Sequence, residues 1–107
     1  MVERLRTLTK RRKGIEEQKM FGGVCFLVDG NMAFGCGSKN LHGKLMVRVG
    51  PDAYDAMLKE KHASVMDFTG RVMRGFVVVD GKGLKTDADL RRWIDRGIRY
   101  ARSLPAK

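Results

Sequence analysis

Between Lys19 and Gly37 the chain reads KMFGGVCFLVDGNMAFGCG. Two apolar segments, 24–29 (VCFLVD) and 32–36 (MAFGC), meet at Asp29-Gly30-Asn31. Asp-Gly and Gly-Asn supply the positive φ that tight hairpin turns require, so the segments read as antiparallel strands. A Gly30-Asn31 turn sets Cys25 directly opposite Cys36. In that register Cys25, Leu27, Met32, Phe34 and Cys36 share one face, and Val24, Phe26, Val28, Ala33, Gly35 and Gly37 the other. The first strand is then apolar on both faces. Such a strand is central, or is covered on its second side by a helix or a partner chain.

The remaining segments extend this frame. Val2, Leu5 and Leu8 recur at helical spacing and predict an amphipathic helix over 2–13, with Gly14 as its stop. Residues 44–49 (KLMVRV) alternate, with Leu45, Val47 and Val49 inward and Lys44, Met46 and Arg48 on a wet, basic face. Pro51 opens a second helix, with Asp52 and Asp55 early, Lys59 and Lys61 late, and an apolar stripe of Ala53, Tyr54, Met57 and Leu58. Residues 64–68 and 71–79 read as a second hairpin about Thr69-Gly70, in which Gly75 marks a bulge or a close backbone approach. Thr86 and Asp89 form a capping box for a last helix carrying Leu90, Trp93, Ile94, Ile98 and Ala101 on one face. Gly97 on that face implies close packing on the sheet. The expected order is α-β-β-β-α-β-β-α. The expected class is α+β: two layers, an antiparallel sheet of about five strands and flanking helices, in one domain over 1–107.

Charge is the second constraint. Twenty-two Lys and Arg against 12 Asp and Glu leave a net charge of +10. A field of that sign attracts nucleic acid, anionic membrane or acidic proteins, or simply keeps a small domain dissolved. The candidate polyanion contacts are Lys10, Arg11, Arg12 and Lys13 at the end of the first helix and Arg91, Arg92, Arg96, Arg99 and Arg102 on the last. The alternative for the last helix is a solvated face with the i,i+4 pairs Arg91–Asp95 and Asp95–Arg99. No apolar run approaches the roughly 18–20 residues of a membrane span. The N-terminal segment lacks the apolar core of a secretory signal. The expectation is a cytoplasmic protein without a membrane partner.

Motifs for chemistry are sparse. Cys25 and Cys36 do not form CxxC, and His42 and His62 do not complete a zinc-finger spacing, so no metal or other cofactor is expected. Gly81-Lys82-Gly83 lacks the spacing of a phosphate loop. Both cysteines read as small buried apolar residues in a reducing compartment, with a cross-strand disulfide as the alternative. An enzyme would have to draw on Cys25 or Cys36 as thiol, His42 or His62 as base, and Asp67 or Asp80 as acid. Nothing in their linear order brings nucleophile and base together, so the expectation is a chain without catalytic residues. A homodimer paired through a sheet face or edge is the third reading, motivated by the two-sided apolar strand.

Four features in order carry a family resemblance: the Met20-Phe21-Gly22-Gly23 entry, the hairpin, the GRVMRGF segment from Gly70 through Gly75 to Phe76, and the Leu90-x-x-Trp93 helix. Together they resemble the N-terminal domain of the TfoX/Sxy family over about residues 15–104. The resemblance implies the secretion-chaperone-like α+β fold of that domain. It also implies a regulatory role linked to bacterial competence for DNA uptake, through DNA or a DNA-bound protein. It supplies no catalytic residues. Full-length members add a helical C-terminal domain for which 107 residues leave no room. Met20, Phe21, Gly22, Gly23, Gly70, Gly75 and Trp93 are thus expected to serve structure, with Gly22-Gly23 turning the chain into the first strand.

Overall fold

The computed structural model describes residues 1–20, 22–37, 43–67, 70 and 72–106. Helix α1 (Val2–Thr9) leads into a meander of β1 (Ile15–Met20), β2 (Gly23–Val28), β3 (Asn31–Cys36) and β4 (Leu45–Arg48). Helix α2 (Tyr54–Leu58), β5 (Ala63–Val65), β6 (Phe76–Val79), a 3-10 turn (Gly81–Leu84) and α3 (Asp87–Ser103) follow. The strands form one antiparallel sheet in the order β1-β2-β3-β4-β6-β5, with the helices flanking it. The α+β class and the layout match the expectation.

The additional strand is β1. Its IEEQKM sequence carries almost no apolar alternation, because it is an edge strand whose four central residues are exposed. Helix α1 stops at Thr9 rather than Lys13, with the Thr9 hydroxyl donating to the Leu5 carbonyl at 2.8 Å. Gly14, expected as a helix stop, has a φ of 77° and directs the chain into β1. Gly22 has the same φ in the β1–β2 turn, as its placement in the glycine pair implied. Phe21 lies outside the described residues.

The first hairpin differs in register. Val28 pairs with Asn31, so Asp29 and Gly30 occupy the turn, both at positive φ. A bulge near Phe26/Leu27 then shifts the ladder, and Cys25 faces Gly35 while Cys36 faces Val24. Directly paired residues share a face and neighbours alternate. Cys25 and Cys36 therefore lie on opposite faces of the sheet, and the cross-strand disulfide is excluded. Both are free and buried.

The bulge sorts the side chains. Ala33 and Phe34 both join the helix-side core, where Phe26 and Phe34 stack with ring centroids 4.9 Å apart. Leu45, Val47, Val77 and Val79 complete the sheet's contribution, and Leu90, Trp93, Ile94, Ile98 and Ala101 of α3 close over it. The other face holds a second cluster of Cys25, Met46, Met66 and Val78, with Met20, Leu27, Met32 and Phe76 at its margin. Met46 is buried, so the second face of β4 is not the wet surface its alternation suggested; Arg48 alone is partly exposed there. Met20 is an apolar anchor as expected, on this second cluster.

The later hairpin is shorter than its sequence suggested. β5 and β6 pair over three rungs, and the Met73 amide donates to the Met66 carbonyl at 2.8 Å beyond them. Phe68, Thr69 and Arg71 of the expected turn lie outside the described residues, while Gly70 has a φ of 80°. Gly75 is the expected close approach: at φ 91°, its carbonyl accepts from both Val49 and Gly50 amides, at 2.8 and 3.0 Å. Pro51 sits in a turn ahead of α2, not in its first helical turn. Thr86 caps α3, its hydroxyl accepting from the Asp89 amide at 3.0 Å.

Gly97 seats α3. A Cβ there would lie 2.5 Å from the Ala33 carbonyl oxygen and 3.3 Å from Val47. The obstacle is backbone, which yields little. Alanine in a helix interior is otherwise worth roughly 0.5–1 kcal/mol over glycine. Gly97→Ala is nevertheless expected to lower stability by about 1–3 kcal/mol, the cost of overpacking. Urea unfolding of the two proteins measures the sign.

Candidate nucleic-acid interface

Helices α1 and α3 lie side by side on the sheet. Arg4 Nη2 meets Asp87 Oδ1 at 3.3 Å near the start of both. In the turn after α1, Arg12 pairs with Asp95 midway along α3, and Arg102 Nη2 near the end of α3 donates to the Lys13 carbonyl at 3.0 Å. The two groups of basic residues read from the sequence thus converge on one side of the molecule.

Carboxylates divide the basic residues. Asp95 engages Arg12, so the expected i,i+4 pairs with Arg91 and Arg99 do not form. Glu60, just after α2, holds Arg96 at 2.7 Å and Arg92 at 4.0 Å. The Arg96 guanidinium also lies over the Trp93 ring, 4.5 Å from its centroid. Glu17 takes Arg6 in a two-pronged contact at 2.6 and 3.2 Å, with Glu3 at 2.5 Å on a third nitrogen. The hydrogen bonds to Glu17 and then Glu3 push the Arg6 pKa further up, so it is charged at every accessible pH.

Lys10, Arg11, Lys13, Arg91 and Arg99 remain exposed and, among the described residues, meet no carboxylate. Arg91, Asp95, Arg99 and Arg102 follow i,i+4 and i,i+3 steps and form one ridge along α3. Arg102 and Lys13 join that ridge to the turn that follows α1. From Arg91 to Arg102 the helix rises roughly 16 Å, about five phosphate steps of one DNA strand. Of the nine sequence candidates, Arg91, Arg99 and Arg102 lie along this ridge, Lys13 meets it through its carbonyl, and Lys10 and Arg11 are exposed in the adjoining turn. The structure withdraws Arg12 and Arg96 into ion pairs, while Arg92 stays exposed with Glu60 4.0 Å away. Long-range pairs such as Arg12–Asp95 leave no local sequence signal, so the division was not legible from helix spacing.

The candidates for catalysis separate. Cys25 and Cys36 sit on β2 and β3, while His62 lies just before β5, three strand positions from β3. At about 4.8 Å per strand, that is roughly 14 Å or more. Burial pushes both thiols above their ordinary pKa, away from the nucleophilic thiolate. Asp67 is exposed, and His42 lies outside the described residues. Among the described residues no group of three or more His, Cys, Asp or Glu could hold a metal ion. No described helix is long and apolar enough to cross a membrane.

His62 and Asp80 do meet, Nδ1 to Oδ1 at 3.2 Å, at a structural corner. Asp80 Oδ1 also accepts from the Lys82 and Gly83 amides at 3.0 and 3.3 Å and so caps the 3-10 turn. Desolvation raises the Asp80 pKa, but His62 and the two amides outweigh it and hold the carboxyl below its usual range. A depressed native pKa stabilises the fold above the unfolded value, and the gain is lost as the pH falls through the native one. Asp80→Ala is therefore expected to destabilise at neutral pH, with the difference shrinking below the ordinary carboxylate range. Parallel urea unfolding of both proteins across acidic pH checks this.

Comparison with known proteins agrees with the architecture. The sequence profile described as the TfoX N-terminal domain matches residues 7–101, from within α1 to the last turns of α3. No curated protein sequence matches. With the profile spanning nearly the whole chain, the chain belongs to the TfoX N-terminal domain family.

Proposed function

We propose that the chain is a non-enzymatic regulatory module that contacts the phosphate backbone of DNA through the α1–α3 ridge. The observation that carries this reading is the set of exposed cations that meet no carboxylate among the described residues, Lys10, Arg11, Lys13, Arg91 and Arg99, beside Arg102. Phosphate contacts of this kind position a protein on a duplex without reading sequence. Family membership supports a role in regulation, with competence for DNA uptake as its setting. The separation of Cys25 and Cys36 from His62 favours a chain without covalent chemistry. The ordinary site for such a regulator is the cytoplasm.

The reading makes the affinity electrostatic. Duplexes of unrelated sequence are expected to bind alike at low salt and to release together as salt rises. Arg91→Ala with Arg99→Ala is expected to weaken all of them uniformly and to lower the salt slope by about two. Fluorescence anisotropy with labelled duplexes measures both. Absence of binding at low salt would remove direct DNA contact and leave a DNA-bound protein as the partner, to be sought by pull-down.

A further inference from the structure

Strand β1 is one edge of the sheet. The Asp29 amide donates to the Gly14 carbonyl at 2.9 Å, which fixes the phase of the β1–β2 ladder. Bonded and non-bonded rungs alternate in an antiparallel pair. Glu16, Gln18 and Met20 therefore bond inward, opposite Leu27, Cys25 and Gly23. The N–H and C=O groups of Ile15, Glu17 and Lys19 point out of the sheet. A row of such groups is a template for another strand. Helix α1 approaches β1 from the helix side, where Arg6 holds Glu17, and leaves the edge itself open among the described residues.

The order of side chains selects the occupant. Two copies joined edge to edge lie about a two-fold axis along the sheet normal, so each residue must meet one from the same face. The permitted registers centre on a single residue opposed to itself. Centring on Glu16, Glu17 or Lys19 sets like charges directly opposite one another, which destabilises the pair. Centring on Gln18 avoids this. Gln18 then faces the partner's Gln18, Glu17 faces the partner's Lys19, Lys19 faces the partner's Glu17, and Glu16 faces the partner's Met20. The Glu17 and Lys19 rungs in this register are the ones whose backbone groups point outward. Charged side chains commonly shield open edges; here their sequence complements itself in one register.

We propose that a second copy of this chain pairs with β1 in the Gln18-centred register and continues the sheet across the dimer. Lys19 is exposed, meets no carboxylate among the described residues, and gains one from the partner. Arg6 holds Glu17 in place by two hydrogen bonds. The axis keeps both helix layers, and with them both basic ridges, on the same side. The interface is small and belongs to the weak, transient class. It requires nothing of the DNA reading.

Sedimentation equilibrium of the whole chain up to roughly 1 mM tests the pairing. The wild type is expected to show a reversible dimer. Glu17→Lys and Lys19→Glu, each creating two like-charge rungs, are expected to weaken it by at least about tenfold. The double exchange restores opposite charges and is expected to restore the dimer. Glu17→Lys also deprives Arg6 of its partner, so its folding is followed by circular dichroism; Lys19→Glu leaves Arg6 and Glu17 intact. Lys19→Pro removes an outward N–H without breaking an inward bond, and is expected to give a folded monomer. A wild type that stays monomeric throughout, a double exchange no tighter than the single ones, or a Lys19→Pro protein that dimerises normally would overturn the proposal.

Discussion

The approach of Gly97 to the Ala33 carbonyl governs this fold. Helix α3 supplies Leu90, Trp93, Ile94, Ile98 and Ala101 to the core, and it reaches the sheet at the one place where it has no side chain. The bulge in the β2–β3 hairpin prepares that place by sending Ala33 and Phe34 to the same side. A helix held further off would leave the space above Phe26, Phe34 and Val47 unfilled, and voids are costly in a close-packed interior. Trp93 could not then lie buried beneath Arg96, and the ridge of outward arginines would have no fixed direction.

Features written in short spans were legible in the sequence. The capping of α3 by Thr86, its apolar face, the packing role of Gly97 and the two-strand apolar hairpin each depend on residues a few positions apart. The close approach at Gly75 was legible for the same reason. β1 was not, because an edge strand exposed on both faces has no apolar period to detect. The turn position was not, because Asp29-Gly30 and Gly30-Asn31 are both good turns, and the bulge beyond it was not, because only the finished ladder shows it. Either turn alone would keep Cys25 and Cys36 on one face; the extra residue of the bulge is what moves them to opposite faces. Pairings such as Arg12–Asp95 and Arg96–Glu60 cross the fold and follow from packing alone.

Net charge is a poor description of this surface. The excess of +10 is spread along the chain, yet Asp95, Glu60 and Glu17 bind particular arginines while others, such as Arg91 and Arg99, face water. Binding and structural arginines are therefore neighbours on the same helix: Arg96 lies against Trp93 and Glu60, while Arg99 is free of both. The β1 edge, carrying Glu16, Glu17 and Lys19, is the locally balanced part of a basic molecule. One chain thus separates a strongly charged ridge from a nearly neutral border, and self-association and polyanion contact need not compete for the same residues.

The contacts of α1 and the turn after it with α3 join residues 83 and 89 positions apart. The four strands of the meander are contiguous in sequence and can pair as they leave the ribosome, since chains fold from the N-terminus during synthesis. Their helix side, with Phe26, Phe34 and Val47, lacks its main cover until residues 87–103 emerge, since of the buried core α1 supplies Leu5 and α2 Tyr54, whereas α3 supplies five side chains. The first helix to be made is accordingly among the last elements to find its place. A nascent chain halted before α3 presents an apolar sheet that is only partly covered, so the closing helix decides whether the emerging domain stays clear of its neighbours or aggregates with them.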